Sequence, residues 1–230
     1  MSEVRILPLT GIPEVRAGDD LASLLGDAAE RAGGLEETDV VVVAHKVVSK
    51  AEGRVVEADD PLPVVLGEAR RVRRRRGRLV IAETAHGFAC ASAGVDRSNT
   101  PADGTLVLLP LDPDASAARL RAAFGERFGV AAAVIVTDSF GRAWRAGTTD
   151  VAIGVAGMRP VIDLRGGADA RGRPLEATVI AIADELAGAA ELVMGKAESI
   201  PAAVVRGYRA PPGEGSARDL VMPRDRDLFP

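Results

Sequence analysis

The residues best able to do chemistry lie between Ala131 and Met158, in the stretch AAAVIVTDSFGRAWRAGTTDVAIGVAGM. Its apolar opening, Ala131 to Val136, is expected to be a buried strand. Thr137, Asp138 and Ser139 follow it, then Gly141, Arg142, Trp144, Arg145, Gly147, Thr148 and Asp150. A second apolar run, Val151 to Val155, comes next. Ligands commonly sit just beyond the carboxyl ends of buried strands in α/β folds. A carboxylate and a hydroxyl there, backed by two arginines and two glycines, suit a phosphate bound through magnesium or manganese. The same residues also fit a polar turn between two strands with an exposed arginine pair.

Four more polar clusters trail apolar segments: Gly11 to Val15, His45 to Lys50, Asp96 to Asn99, and the turn Gly195-Lys196. If those strand ends converge, Asp96, Asp138 and Ser139 come within reach of one or two hard cations. Lys50, Arg142 and Arg145 would then neutralise phosphate. Each cluster alone reads equally as a turn or a cap; five together favour phosphate handling. The standard nucleotide loops are absent, since no Gly-x4-Gly-Lys-Ser/Thr occurs and no Gly-x-Gly-x-x-Gly opens a helix. Nor is there a Gly-x-Ser-x-Gly elbow. Cys90 sits between Ala89 and Ala91 and reads as packing rather than as a nucleophile. His86 is a candidate general base by chemistry, but beside Gly87 and Phe88 it reads as structural. Trp144 suits either stacking on an aromatic ligand or anchoring a core or interface.

The elements that must position these residues alternate along the chain. Strands are expected at Val4–Pro8, Val40–Val43, Leu79–Ala82, Leu106–Leu109 and Ala203–Arg206. Helices are expected over Leu21–Arg31 with an Asp19 or Asp20 cap, over 115–128, and over Leu175–Val193 with Gly195 as its stop. Residues 61–78 start apolar and continue as a basic helix, Arg70 to Arg78, with seven arginines. That run is either a nucleic-acid patch, though one lacking aromatics to stack bases, or a solvated face or outer dimer surface. Interleaved strands and helices predict an α/β, mixed α+β fold.

Composition narrows the classes further. At 230 residues the chain needs no covalent staples. A single cysteine excludes an internal disulfide and suits a reducing cytoplasm. Two histidines make a histidine-built zinc site a poor expectation. A net charge of −4 argues against nucleic-acid binding through the whole surface. No apolar run approaches the ~20 residues of a membrane helix, and MSEVRILPLTG lacks the pattern of a secretory signal.

Seven motifs carry a family resemblance. They are GIPEVRAGDDLA (11–22), VVSKAEGR (47–54), AGVDRSN (93–99), LLPLDPDASA (108–117), VIVTDSFGRAWRAGTTDVAIG (134–154), ADELAGAAELVMGK (183–196) and IPAAVVRG (200–207). Together, in order over residues 3 to 210, they resemble the coenzyme F420:L-glutamate ligases, which add glutamate to F420-0. The resemblance implies GTP-dependent ligation through an acyl phosphate, manganese or magnesium, K+ as a candidate further ion, and an interlocked homodimer with a fold of its own. By position, Asp96, Asp138 and Ser139 resemble the family's metal ligands. Ile12, Pro13, Glu14, Val15, Lys50, Asn99 and the turn Val193, Met194, Gly195 and Lys196, on to Ser199, resemble its GTP contacts. His45 matches a GTP-contact position that often holds serine. Lys50, Asp138 and Arg142 or Arg145 then become the expected catalytic set.

The resemblance also divides the chain into a ligase domain, 1–210, and a C-terminal tail, 211–230. In two-domain relatives the segment resembling RDLVMPRDRDLF leads into a flavin-binding domain. The chain here reads either as a standalone ligase or as the ligase half of a longer protein. Another metal-dependent ligase or phosphotransferase acting on a different small carboxylic acid is the alternative function.

Overall fold

Val40 to Val43 are all fully buried, and a β-branched run with no exposed face belongs in the middle of a sheet. The computed structural model describes residues 3–228 and puts it there. The ends of the chain, including Phe229, the last residue of the family-like RDLVMPRDRDLF segment, and Pro230 after it, lie outside the described residues. In chain order the elements are β1 (Arg5–Pro8), α1 (Leu21–Arg31), β2 (Val40–Ala44), α2 (His45–Ala51), β3 (Val55–Glu57), α3 (Pro61–Glu68), β4 (Ala69–Arg76), β5 (Leu79–Thr84) and β6 (Ala89–Ala91). They continue as β7 (Thr105–Val107), α4 (Pro113–Phe128), β8 (Ala133–Arg142), β9 (Arg145–Ala156), β10 (Ile162–Asp163), β11 (Val179–Ile180), α5 (Ile182–Met194) and β12 (Ala202–Arg206).

The main sheet has the order β1-β12-β2-β8-β9, with β2 parallel to β8 and the other pairs antiparallel. α1, α4 and α5 bury Leu21, Leu25, Leu120, Phe124, Leu186 and Met194 in the same core as the sheet. The expected mixed α/β architecture is therefore present. Among the described residues no helix is long and apolar enough to cross a membrane.

A smaller core forms beside the first, from Val65, Val80, Ala82, Ala93, Val95, Leu106 and Leu108. It lies among α3, the sheet β4-β5-β6 and the pair β3-β7. Its consequence for the site is Asp96. That residue is held to Val107 by two backbone hydrogen bonds of 2.9 Å. Leu108 N–H in turn donates to Arg54 O, just past α2.

Three expectations need correction. The basic segment is a strand, not a helix: α3 ends at Glu68 and β4 pairs antiparallel with β5. On a helix the arginines would repel at i,i+4. On the sheet, Arg70, Arg73 and Arg224 instead surround the buried Glu83 carboxylate at 3.8, 3.4 and 2.9 Å. The expected helix from Leu175 begins only at Ile182. Val179, whose spacing to Ile182 and Leu186 mimics the helical period, instead pairs with β10 together with Ile180, and the helix opens where Asp184 and Glu185 favour its N-terminal dipole. The central stretch is one long hairpin, β8–β9, and not a strand ending at Val136. The last residues pack back on the core: Ser216 Oγ donates to Asp114 Oδ2 at 2.6 Å, and Ala217 is buried.

Asp39 ties the sheet together at its lower end. Its carboxylate is fully buried and accepts from Arg206 Nη2 at 2.6 Å and Nε at 3.0 Å, while its carbonyl accepts from Ala133 N–H. One residue thus joins β2 to both neighbours. Asp39→Ala would leave the largely buried Arg206 guanidinium only the exposed Glu36 and the Gly34 carbonyl, and removing one partner of a buried pair costs roughly 3–5 kcal/mol. Urea denaturation should show that loss; a variant within 1 kcal/mol of the parent, on the order of a surface change, would contradict the role.

Candidate functional site

Parallel pairing of β2 with β8 sets Val43 beside Val136 and Ala44 beside Thr137. The residues that come next, His45 and Asp138, therefore leave the sheet core side by side. His45 opens α2, and its Nε2 lies 3.2 Å from Asp138 Oδ1. Its Nδ1 lies 3.4 Å from Ser49 Oγ, one helical turn on. Asp96 arrives from the smaller core. Its Oδ2 is 2.6 Å from Lys46 Nζ, and its Oδ1 accepts from Ser98 N–H at 2.7 Å. Burial pushes the Asp96 carboxyl up, but the Lys46 ammonium and the Ser98 donors outweigh it and hold the group down at about 2. Ligand atoms of His45, Asp96 and Asp138 all fall within 4.8 Å of one another.

A second polar group lies on the other side of the same strand, because successive side chains alternate. A register shift between Val136 and Thr137 leaves Ile153 as the extra residue on β9. Beyond it, Ser139 faces Asp150 across the hairpin. The buried Asp150 accepts from Ser139 Oγ at 2.5 Å and from Thr137 Oγ1 at 3.3 Å. Lys196 Nζ donates to Ser139 Oγ and stands 3.8 Å from Glu191 Oε1. Burial, then the Asp150 carboxylate, push the Glu191 carboxyl up, against the pull of Lys196.

Both groups open into one cavity of about 560 Å³, within the size range of small-molecule sites. Its far wall is Ile12 to Val15, in the loop after β1, where Glu14 Oε1 lies 2.6 Å from Lys50 Nζ. Asn99, in a left-handed conformation (φ 53°), donates to Lys196 O at 3.2 Å. Gly195 ends α5 with φ 58°, which turns Lys196 back toward the hairpin.

All five clusters singled out in the sequence thus contribute to one place. Ile12, Pro13, Glu14, Val15, His45, Lys50, Asn99, Asp138, Ser139, Met194, Gly195 and Lys196 line the cavity. Asp96 meets it through Lys46 and Asp138. Val193 instead packs against the main core. Arg142 and Arg145 pair with each other at the exposed end of the hairpin and do not line the cavity. Trp144, between them, is 83% exposed, which removes the core reading for it.

Lys46, Asp150 and Glu191 also line the cavity and had no role assigned from sequence. Reading 137–150 as a hairpin would have paired Ser139 with Asp150. Glu191 had no comparable signal.

His86 lies outside the cavity. Its Nε2 is 3.1 Å from Leu111 O, and its ring stacks on Phe88, which meets Phe140 edge-on. Cys90 is buried, and desolvation, with the Asp138 carboxylate adding to it, pushes its thiol up to about 12. The group is therefore protonated at neutral pH. At pH 8 alkylation by iodoacetamide should run roughly a thousandfold slower in the folded protein than in the unfolded chain, tenfold per pKa unit above about 8.5. Equal rates would show the thiol is not packing.

Comparisons with known proteins point to one family. The family model F420-0:Gamma-glutamyl ligase matches residues 11–64 and 60–207. The chain is 42% identical to the coenzyme F420:L-glutamate ligase of Methanopyrus kandleri, over 98% of this chain and 97% of that one. It is 39% identical to the protein of the same name from Methanothermobacter thermautotrophicus, over 98% of both. Against that of Archaeoglobus fulgidus it is 36% identical, over 98% and 96%. With a family model matched over most of the chain and relatives alike over nearly its full length, this chain belongs to the F420-0:γ-glutamyl ligase family.

Proposed function

We propose that this chain joins L-glutamate to coenzyme F420-0 with GTP as the energy source, through an acyl phosphate, in F420 biosynthesis. The observation that carries the reading is the convergence of five distant segments on one cavity holding both carboxylates and lysines. Relatives alike over nearly the full chain are named coenzyme F420:L-glutamate ligases.

The chemical problem is that a carboxylate repels an attacking amine and has no leaving group. In the proposed first step a carboxylate oxygen of F420-0 forms a bond to the γ-phosphorus of GTP. The bond to the β–γ bridging oxygen breaks, and GDP leaves. The glutamate amine then bonds to the acyl carbon, phosphate departs with its electron pair, and the nitrogen loses a proton. Such transfers depend on positioning and charge neutralisation.

The residues fit a divalent ion at the His45 end of the cavity. Asp96 and Asp138 offer hard oxygens, and the deeply buried His45 Nε2 has no hydrogen-bond partner. Ser139 offers a hydroxyl nearby. Magnesium or manganese bound there would neutralise phosphate oxygens and polarise the γ-phosphoryl group. Lys50, almost wholly buried and fixed by Glu14, is the cation placed for the triphosphate, and Lys196 is a second. Ile12 to Val15, Asn99 and the Met194–Lys196 turn would hold the nucleotide. A part for Arg142 or Arg145 needs the hairpin end to meet substrate or a second subunit. The exposed Trp144 beside them suits the interlocked homodimer that the family resemblance implies.

Incubating the protein with F420-0, GTP, glutamate and manganese should give a mass gain of one or more glutamyl units. Asp138→Asn should lower that rate at least ~100-fold, the scale of losing a catalytic electrostatic group. Normal turnover of the variant at saturating manganese would remove the metal assignment. GTP consumed with another small carboxylic acid, while F420-0 stays unchanged, would favour a different acid substrate.

A further inference from the structure

We propose that His45 is a direct nitrogen ligand of the divalent ion, so that His45, Asp96 and Asp138 form a mixed site favouring manganese, cobalt or zinc over magnesium. The inference rests on the reading above for the site's purpose, but its chemistry stands on the side chains alone.

His45 is 1% exposed, so no bulk water satisfies its ring. A buried polar nitrogen is costly unless something pairs with it. Nε2 makes no hydrogen bond, although it lies 3.2 Å from Asp138 Oδ1. The two atoms are close without being aligned as donor and acceptor. That is the relation of two ligands on adjacent corners of one ion, where bonds of about 2.0–2.2 Å set neighbouring ligand atoms roughly 3 Å apart. The Asp96 carboxylate completes the group within 4.8 Å.

The other ring nitrogen supplies the expected support. Ser49, fully buried, places Oγ 3.4 Å from Nδ1. A proton on Nδ1 shared with that hydroxyl leaves the Nε2 lone pair free and fixes the ring plane, as the outer partners of metal-bound histidines do. Helix geometry enforces the pairing, since residues 45 and 49 are four apart on α2.

Charge and softness then decide which ion fits. Asp96 and Asp138 carry two negative charges, and Lys46, 2.6 Å from Asp96, offsets one. A neutral imidazole adds a ligand without adding charge. Magnesium keeps to oxygen ligands and gains little from nitrogen, whereas manganese, cobalt and zinc accept imidazole readily. A hydroxyl or carboxylate in place of the imidazole would give an oxygen-only site, so the histidine sets metal preference.

The test is pulsed electron paramagnetic resonance on the full chain with one equivalent of Mn2+. The expected result is a ¹⁴N coupling typical of bound imidazole, which changes to the ¹⁵N pattern when the protein is made with ¹⁵N-histidine. His86→Gln should keep the coupling, because His86 lies outside the cavity. His45→Gln should remove it and weaken Mn2+ binding at least about tenfold, with Mg2+ affinity changed less than about twofold. Should His45→Gln fail to fold, the ¹⁵N experiment on His86→Gln still decides the matter. Bound Mn2+ without nitrogen coupling, or no Mn2+ binding at millimolar concentration, overturns the proposal; so does a coupling that persists in His45→Gln. A nitrogen coupling without any glutamyl mass gain keeps the ligand and removes the reaction; glutamyl addition without the coupling does the reverse.

Discussion

Parallel pairing between β2 and β8 is the constraint on which the site depends. Two strands distant in sequence are locked with Ala44 beside Thr137, so the residues after them meet whatever the intervening chain does. Both strands are buried on both faces, so any slip would have to repack close-packed valines on either side of the sheet. Register is therefore fixed by the hydrophobic effect, and the His45–Asp138 contact inherits that precision. The buried Asp39–Arg206 pair holds the same sheet from the opposite end.

The smaller core gives the site its third carboxylate. Asp96 does not belong to the main sheet. It is presented by its bridge to Val107, in a layer that buries Val95, Leu106 and Leu108. The site is therefore shared between two cores. Rigid β8 supplies one side and the smaller core the other.

Balance of charge organises the cavity. Asp96 faces Lys46, Glu14 faces Lys50, and Glu191 with Ser139 faces Lys196. Each lysine is held by a carboxylate when no ligand is near, so the cavity does not carry a large excess of either sign.

The local patterns of the sequence were enough for much of this. The valine run 40–43, the capped α1 and the stop at Gly195 follow from burial, side-chain capping and backbone conformation, all of which act over a few residues. The five polar clusters were visible as residue types, and the family motifs tied them together. Tertiary structure alone decided the rest. It made a strand of the arginine run, because Glu83 on β5 supplies a counter-charge that no neighbour on a helix could. It placed Asp150 opposite Ser139 and brought Lys196 to Ser139, 57 residues away in the chain, since hairpin register and helix docking are set by the packed fold. It turned His45 from an expected nucleotide contact toward Asp138. Sequence names the groups that bond; only the packed sheet fixes which of them come within 3 Å or so of one another.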